Sequence, residues 1–226
     1  MLPCLNAPMW LDQQLFSSWT KYVTMIALDQ QMPRAGLDPE IVTKAAASIV
    51  DADGPAALTL ARLAINLGVA PPSLYKHVAG LDDLIVRVTT LSLSRLTDEL
   101  KTAAVGRSGR QALLAIAEAY RRFANEHPGL YALTQGRLKP AQNSEAARGV
   151  EILVAVVKSY NVPDDLLIDA ARVVRAGLHG FADVEARGGF QLAHSVDKSF
   201  MVLIDGLDAS LKNLSTRDRG GKRQKG

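Results

Sequence analysis

The 226-residue sequence is poor in cysteine, histidine and aromatic residues. Its single cysteine, Cys4, has no second thiol in the chain with which to form a disulfide, and this indicates a reducing compartment. The four histidines do not show the spacing of a structural zinc site. Aromatic residues make up only 5% of the chain while alanine, leucine and arginine are plentiful, which favours helices over sheets. We therefore expect an all-helical protein without a metal or a cofactor.

Long apolar runs and catalytic motifs are also missing. No stretch approaches the roughly 18 consecutive apolar residues that a membrane span requires. The N-terminal segment is not predicted to be a signal peptide, because its hydrophobicity is interrupted by Asp12, Gln13 and Gln14. The sequence has no nucleophile elbow, no glycine-rich phosphate loop and no helix with paired metal-binding histidines. These absences predict a cytoplasmic protein that is neither an enzyme nor bound to a membrane.

The excess of positive charge is small and lies at one end of the chain. The net charge is +3, but the segment 215–226 holds five basic residues and one aspartate, which leaves −1 for the rest. In residues 34–80 the basic and acidic side chains balance. They are Arg34, Lys44, Arg62 and Lys76 against Asp38, Glu40, Asp51 and Asp53. Overall charge therefore gives no evidence for nucleic-acid binding, and such evidence has to come from a motif.

Glycine and proline positions divide the chain into four segments and predict nine helices, give or take one. Residues 1–33 are an extension, either an amphipathic helix over 11–30 or sequence upstream of a true start at Met32. Three short helices are expected in 34–80 and longer ones in 81–214, while the polar tail 215–226 is expected to be disordered. The predicted helices cover 39–52, 59–67, 71–78, 81–103, 108–126, 128–135, 143–160, 164–187 and 196–213.

The segment 60–78, LARLAINLGVAPPSLYKHV, has the features of two short helices that cross at a tight turn. Ala64 is small at the position where the two helices approach, and Gly68 permits the turn. Apolar residues at helical spacing fill the joint, namely Leu63, Leu67, Val69 and Leu74. Any one of these residues alone would mean little, but together they predict a helix-turn-helix.

This motif resembles that of the TetR/AcrR regulators, whose signature is a leucine-glycine-valine turn followed by leucine-tyrosine-x-histidine. Here the matching residues are 67–69 and 74–77. The resemblance extends over about 33–211, because GLYALTQ (129–135) and LHGFADVEARGGF (178–190) are similar to the subgroup with a WHG-type ligand domain. The chain has Leu178 where that subgroup's name-giving triplet has tryptophan. The resemblance implies a three-helix DNA-binding domain followed by a helical ligand-binding and dimerisation domain.

By this resemblance the protein binds a pseudo-palindromic operator in double-stranded DNA as a homodimer, usually as a repressor, and a small-molecule effector releases it. The resemblance also implies the DNA-binding residues, which are Thr59, Pro71, Pro72, Ser73, Tyr75, Lys76 and His77. For Tyr75 and His77 the alternative is packing against the first helix. Leu81 stands where relatives often place a phosphate-binding lysine. A helical scaffold that retains a helix-turn-helix without binding DNA is the competing function.

The C-terminal helices carry polar and aromatic side chains that are able to line a ligand pocket. The candidates are Tyr120, Phe123, Tyr131, His179, Phe181 and Asp183, and for each the alternative is ordinary core packing. A two-helix dimer face is expected from Leu178, Val184, Phe200, Leu203, Ile204, Leu207 and Leu211, which in a monomer would be core. The helix from Leu81 is expected to be the only direct mechanical link between this half and the helix-turn-helix.

Overall fold

The computed structural model describes residues 36–136 and 142–221, and in that part the chain is entirely helical. The predicted extension 1–33 lies outside the described residues. The described residues form nine α-helices, with short 3₁₀ helices at Pro55–Ala57 and Asp164–Leu166. The α-helices are α1 Pro39–Asp53, α2 Leu60–Asn66, α3 Pro71–Leu74, α4 Leu81–Ala104, α5 Gly109–Glu126, α6 Pro128–Thr134, α7 Asn143–Lys158, α8 Leu167–Ala186 and α9 Val196–Gly221.

Two helix ends lie four or more residues from the positions expected from the sequence. Helix α3 ends at Leu74 rather than Val78, because residues 75–77 form turns that lead into α4. Helix α9 continues to Gly221, so the expectation of a disordered tail from residue 215 fails for residues 215–221. No proline or glycine interrupts the chain between Leu207 and Arg219, and the pattern therefore offered no physical reason for the helix to stop at 213.

The first helix shows how local sequence sets the boundaries. The Asp38 carboxylate accepts a hydrogen bond from the Ile41 N–H at 2.7 Å, and Pro39 occupies the first helical position. Gly54, at φ +82°, ends the helix. The buried face of α1 includes Val42, Ala46 and Val50. This face gives the N-terminal helices a hydrophobic core.

Helix α4 is the long central element, and it packs against α1, α5, α6 and α7. Leu84 and Val88 are buried near its N-terminal end, and Leu96 and Leu100 near the other. The largest buried side chains of the C-terminal half include Leu113, Ile116 and Phe123 on α5. The described residues from Asp38 onward form one compact unit, so the helix-turn-helix and the C-terminal helices share a continuous core. None of the helices in the described part is long and apolar enough to cross a membrane.

Helix α6 makes a second connection to the N-terminal helices, so the expectation that α4 is the only direct link is wrong. The α6 backbone at Gly129 lies so close to α1 that a Cβ atom there would be 1.8 Å from the Val50 carbonyl oxygen. Beside it, His127 Nδ1 and Asp51 Oδ2 are 2.7 Å apart. Sequence periodicity did not reveal this contact because its partners are far apart in the chain. We call Val50, Asp51, His127 and Gly129 the α1–α6 junction.

Candidate nucleic-acid interface and ligand cavity

The helix-turn-helix forms as the sequence predicts. Gly68 adopts φ +64°, and the Val69 N–H donates to the Ala64 carbonyl at 3.0 Å, which closes the turn. Leu63, Ala64 and Leu74 are fully buried at the joint. A left-handed residue followed by a buried apolar position is the arrangement that a tight turn between two short helices requires. The geometry therefore positions the segment after α3 as a rigid part of the fold.

The candidate DNA-contacting residues lie together on the surface of this motif. Pro71, Pro72 and Lys76 are exposed, and Tyr75 is 60% exposed, so most of the Tyr75 side chain is accessible to a partner. Ser73 and His77 are partly buried. For His77 the two interpretations from the sequence, groove contact and packing, both remain predictions.

Ile65 is a surface residue that the sequence analysis did not single out. It lies on α2 and is 81% exposed, the second-highest value among the large apolar side chains described as exposed. An exposed isoleucine costs a protein little when single, but here it shares the surface of the helix-turn-helix with Tyr75. The sequence contained a signal for this exposure, because Ile65 is apolar but lies outside the positions, such as Leu63 and Leu67, that fill the joint between the two helices.

Ion pairs neutralise most of the basic side chains that the structure describes in the N-terminal three-helix region. Lys44 pairs with Glu40 at 2.6 Å, and Arg62 pairs with Asp53. Lys76, by contrast, is exposed and makes no ion pair with the residues that the structure describes. It is therefore available to a phosphate group, which is the kind of contact that positions a protein on DNA.

Thr59, at the start of α2, is able both to accept and to donate a hydrogen bond. Its hydroxyl oxygen accepts a hydrogen bond from the Arg62 N–H at 3.1 Å and so caps the helix. The hydroxyl proton remains available for donation, because a threonine hydroxyl can donate one bond and accept two. A phosphate oxygen is a suitable acceptor for it.

The start of α4 is acidic instead of basic. Asp82 and Asp83 lie in its first turn beside Leu81. The Asp83 carboxylate accepts hydrogen bonds from the Ala79 N–H and from Arg87, both at 3.0 Å, and the Ala79 bond is the main reason that its pKa lies below the ordinary value. Asp83 therefore fixes the connection between the helix-turn-helix and α4.

Three of the six candidate ligand-binding residues form a connected polar chain. The Tyr120 and Tyr131 hydroxyls are 3.2 Å apart, and the Tyr131 hydroxyl is 2.6 Å from His179 Nδ1. Burial raises the pKa of both tyrosines, so they stay neutral and able to donate. The chain connects α5, α6 and α8.

The other three candidates occupy different surroundings. Phe123 is fully buried, with its ring centroid 5.2 Å from that of His127 near the α1–α6 junction. Phe181 packs against Phe200 with ring centroids 5.2 Å apart, in a cluster that Arg121 covers. Asp183 pairs with Arg187 at 3.0 Å. Asp183 is nevertheless close enough to the polar chain for its negative charge to raise the pKa of Tyr120 and Tyr131, whereas Phe123 and Phe181 lie in separate aromatic contacts.

A cavity of about 60 Å³ lies between α4, α5, α7 and α8, next to the end of α6. Of the six candidates, Tyr120 alone is among its lining residues. The other lining residues were not among the ligand-binding candidates predicted from the sequence. The lining residues are Leu93, Leu96, Thr97, Leu100, Tyr120, Thr134, Gln135, Glu145, Ala146, Gly149, Val150, Leu153 and Arg175.

Helices α8 and α9 present an apolar surface, although most of the residues expected there are core. The buried ones are Leu178, Phe200, Ile204, Leu207 and Leu211. Burial within the protomer takes these five away from the expected dimer face, because α9 packs its own apolar stripe on α5 and α8. The exposed large apolar residues on the same helices are Ile168, Val173, Val184 and Val202.

Comparisons with known proteins agree with the fold and the motif. A family model for the tetracyclin repressor-like C-terminal domain matches residues 113–207. The HTH-type transcriptional regulator YobS of Bacillus subtilis (strain 168) is 30% identical over 188 residues, which cover 80% of this chain and 98% of YobS.

Solved structures give the same fold. The TetR transcriptional regulator SCO7222 from Streptomyces coelicolor aligns with a TM-score of 0.66 at 21% identity, covering 80% of this chain and 100% of that one. BioQ, in a crystal with its double-stranded DNA operator, aligns with a TM-score of 0.55 at 26% identity, covering 77% of this chain and 99% of BioQ.

Proposed function

Because this chain belongs to the TetR family of helix-turn-helix transcriptional regulators, we propose that it is a cytoplasmic repressor that binds a pseudo-palindromic operator as a homodimer and is released by a small molecule. The observation that carries the proposal is the pairing of an exposed Tyr75 with an exposed, unpaired Lys76 directly after the turn. A scaffold protein would have no need to hold these two side chains in water on a rigid motif.

The chemistry of each side chain indicates which part of the DNA it would contact. Lys76 and the Thr59 hydroxyl suit phosphate oxygens, which set position and register. Tyr75 has a hydroxyl on a stiff arm, and Ser73 and His77 lie beside it. Ile65, Pro71 and Pro72 are apolar and suit thymine methyl groups in the major groove. The operator is therefore expected to be read with few base hydrogen bonds.

The proposed homodimer pairs α8 and α9 of one protomer with the same helices of a second. Val173, Val184 and Val202 are exposed there. Gly180 and Gly206 have open space where a side chain would be, so a second helix can approach their backbones closely. An isologous pairing of two helices gives a four-helix interface with two-fold symmetry, which matches half-sites about 34 to 36 Å apart or a multiple of that spacing.

Release by a ligand would use both connections to the helix-turn-helix. Helix α4 lines the cavity with Leu93, Leu96 and Leu100 and begins beside α3, while α6 ends at the cavity and begins at the α1–α6 junction. Packed helices shift as bodies, so a small displacement at the cavity changes the separation of the two DNA-contacting motifs. Linkage requires that operator DNA weaken ligand binding by the same factor.

Competition binding tests the DNA-binding part of the proposal. The full-length protein should bind DNA from the region upstream of its own gene more tightly than random DNA at the same salt concentration. Tyr75→Phe combined with Lys76→Ala should weaken this binding at least about tenfold, since a hydrogen bond to a charged group contributes roughly 1.5–3 kcal/mol. The slope of log affinity against log salt concentration should also decrease by about one, which is the contribution of one phosphate contact.

Lys158→Ala is the matched control, because it removes one exposed positive charge on α7, away from the helix-turn-helix. It should leave the operator affinity and its salt dependence nearly unchanged. Equal affinity of the wild type for upstream and random DNA would favour the scaffold function. Unchanged affinity of the Tyr75/Lys76 variant would remove this segment from the interface.

A further inference from the structure

The cavity between α4, α5, α7 and α8 has chemically different ends. Aliphatic side chains from α4 and α7 form one part of its wall, namely Leu93, Leu96, Leu100, Val150 and Leu153. Tyr120, Thr134, Gln135 and Arg175 supply the other part. All four of these polar side chains can donate a hydrogen bond. A ligand that fits must therefore be apolar over most of its length and an acceptor at one end.

The charges at the cavity leave one cation without a counter-ion. Glu145 and Arg175 are the two charged residues of the lining. Glu145 pairs with Arg148 at 2.7 Å, whereas Arg175 makes no ion pair with residues in the described part of the chain. The positive charge of Arg175 acts on the Tyr120 hydroxyl and partly opposes the rise of its pKa that burial causes. Arg175 is thus close to the polar end, and its side chain is exposed to solvent there.

The donors at this end are held in place by their neighbours. The Thr134 hydroxyl donates to the Tyr131 carbonyl at 2.7 Å, and the Gln135 amide donates to the Thr134 oxygen at 2.7 Å. The Gln135 amide also hydrogen bonds to the Tyr120 hydroxyl and so works against the rise of its pKa, which makes Gln135 part of the same network of held side chains. A guanidinium group also matches a carboxylate in its planar, two-bond geometry.

We propose that the effector is a small amphipathic carboxylic acid whose carboxylate binds Arg175 and whose carbon skeleton packs against the α4 and α7 leucines. This assignment rests on the proposed function, since it names the ligand class of the same sensing half. The 60 Å³ cavity has room for about five waters at roughly 12 Å³ each, or about 150 Å³ of liquid volume. Benzoate is about the size of this space, and hexanoate, which is somewhat larger, tests its upper limit.

Calorimetry on the full-length protein without DNA provides the test. Hexanoate and benzoate are each compared with hexanamide and benzamide, which keep the shape and lose the negative charge. Each acid should bind at least about tenfold more tightly than its amide, because the charge-assisted bonds to Arg175 are lost in the amide. Arg175→Gln should abolish this preference.

Two further variants test whether binding depends on Arg175 in particular and on this cavity. Arg172→Gln removes an exposed arginine of the same helix that pairs with Asp169, and it should keep the preference for acids. A Cβ at Gly149 would lie 3.4 Å from Thr97 Oγ1 at the cavity wall, so Gly149→Leu should fill the space and remove binding of acids and amides alike.

The proposal is overturned if neither acid binds at millimolar concentration, if acids and amides bind equally, or if Arg175→Gln retains the preference. Binding that survives Gly149→Leu would place the ligand elsewhere and would also overturn it. These titrations contain no DNA. Failure here therefore leaves operator binding intact as a separate question, and failure of operator binding leaves the ligand assignment intact.

Discussion

The α1–α6 junction predicts a large effect for a very small substitution, Gly129→Ala. The new Cβ atom would be 1.8 Å from the Val50 carbonyl oxygen and 3.3 Å from the Asp51 Cα. Real Cβ atoms do not approach other atoms more closely than about 3.0 Å, so α6 and α1 must separate by more than 1 Å. Both contacts are with backbone, which cannot rotate away as a side chain would.

The expected cost can be worked out from this overlap. Overpacking in a well-packed interior costs typically about 1–3 kcal/mol, and a clash with backbone belongs at the upper end. Helix propensity returns roughly 0.5–1 kcal/mol, because glycine in a helix is poorer than alanine by that amount. A net loss of about 2–2.5 kcal/mol corresponds to a decrease in Tm of roughly 4–10 °C for a chain of this length.

Thermal unfolding followed by circular dichroism measures this shift, at a fixed protomer concentration because association alters Tm. Gly149→Ala is the matched control, since it makes the same change in a helix where the nearest atom to the new Cβ, Thr97 Oγ1, lies at 3.4 Å. The control should leave Tm unchanged or raise it. A Tm for Gly129→Ala equal to or above that of the wild type would refute the close contact of α6 with α1.

Three further predictions concern other parts of the molecule. Deletion of residues 215–226 should preserve the dimer and the operator preference and make DNA binding less sensitive to salt, and loss of dimerisation would show that the tail is structural. His127→Ala should cost about 1–3 kcal/mol by unfolding in denaturant, because it leaves the Asp51 carboxylate unpaired, and clearly less when Asp51→Ala is already present. Hydrogen bonds from Arg121 hold the pKa of Glu185 below its ordinary value of 4.5. The stability that this pair contributes is therefore fully present above pH 4.5 and is lost as the pH falls through the lowered pKa. Acid unfolding of Glu185→Gln should show a weaker pH dependence than that of the wild type below pH 4.5.

The helices were predictable because their boundaries are local. Asp38 and Pro39 at the start of α1, Gly54 at its end and Gly68 at the tight turn each act within a few residues. The same reasoning misplaced the end of α3, because apolar spacing through Val78 continues over residues whose backbone forms turns. Periodicity records which side chains are buried and does not record whether the intervening backbone is helical.

The cavity and the α1–α6 junction were not predictable in the same way, since both depend on residues distant in sequence. His127 and Asp51 are 76 residues apart. Arg175 stands out only when α8 is placed beside α4 and α7. Periodicity correctly marked Tyr120, Phe123 and Tyr131 as inward-facing, but it does not distinguish a side chain that lines a cavity from one that fills a core.

Helix α6 connects these two unpredicted features. Its N-terminal end contacts Val50 through Gly129, and its C-terminal end supplies Thr134 and Gln135 to the cavity wall. A seven-residue helix is only about 10 Å long at roughly 1.5 Å per residue, and it is too short to absorb a displacement by bending. In the proposed mechanism, a carboxylate bound at Arg175 beside Gln135 would act on α1 through this rigid body. Such a shift would reposition the helix-turn-helix without unfolding any helix, and a coupling of about 1–3 kcal/mol between the two sites would require no larger change.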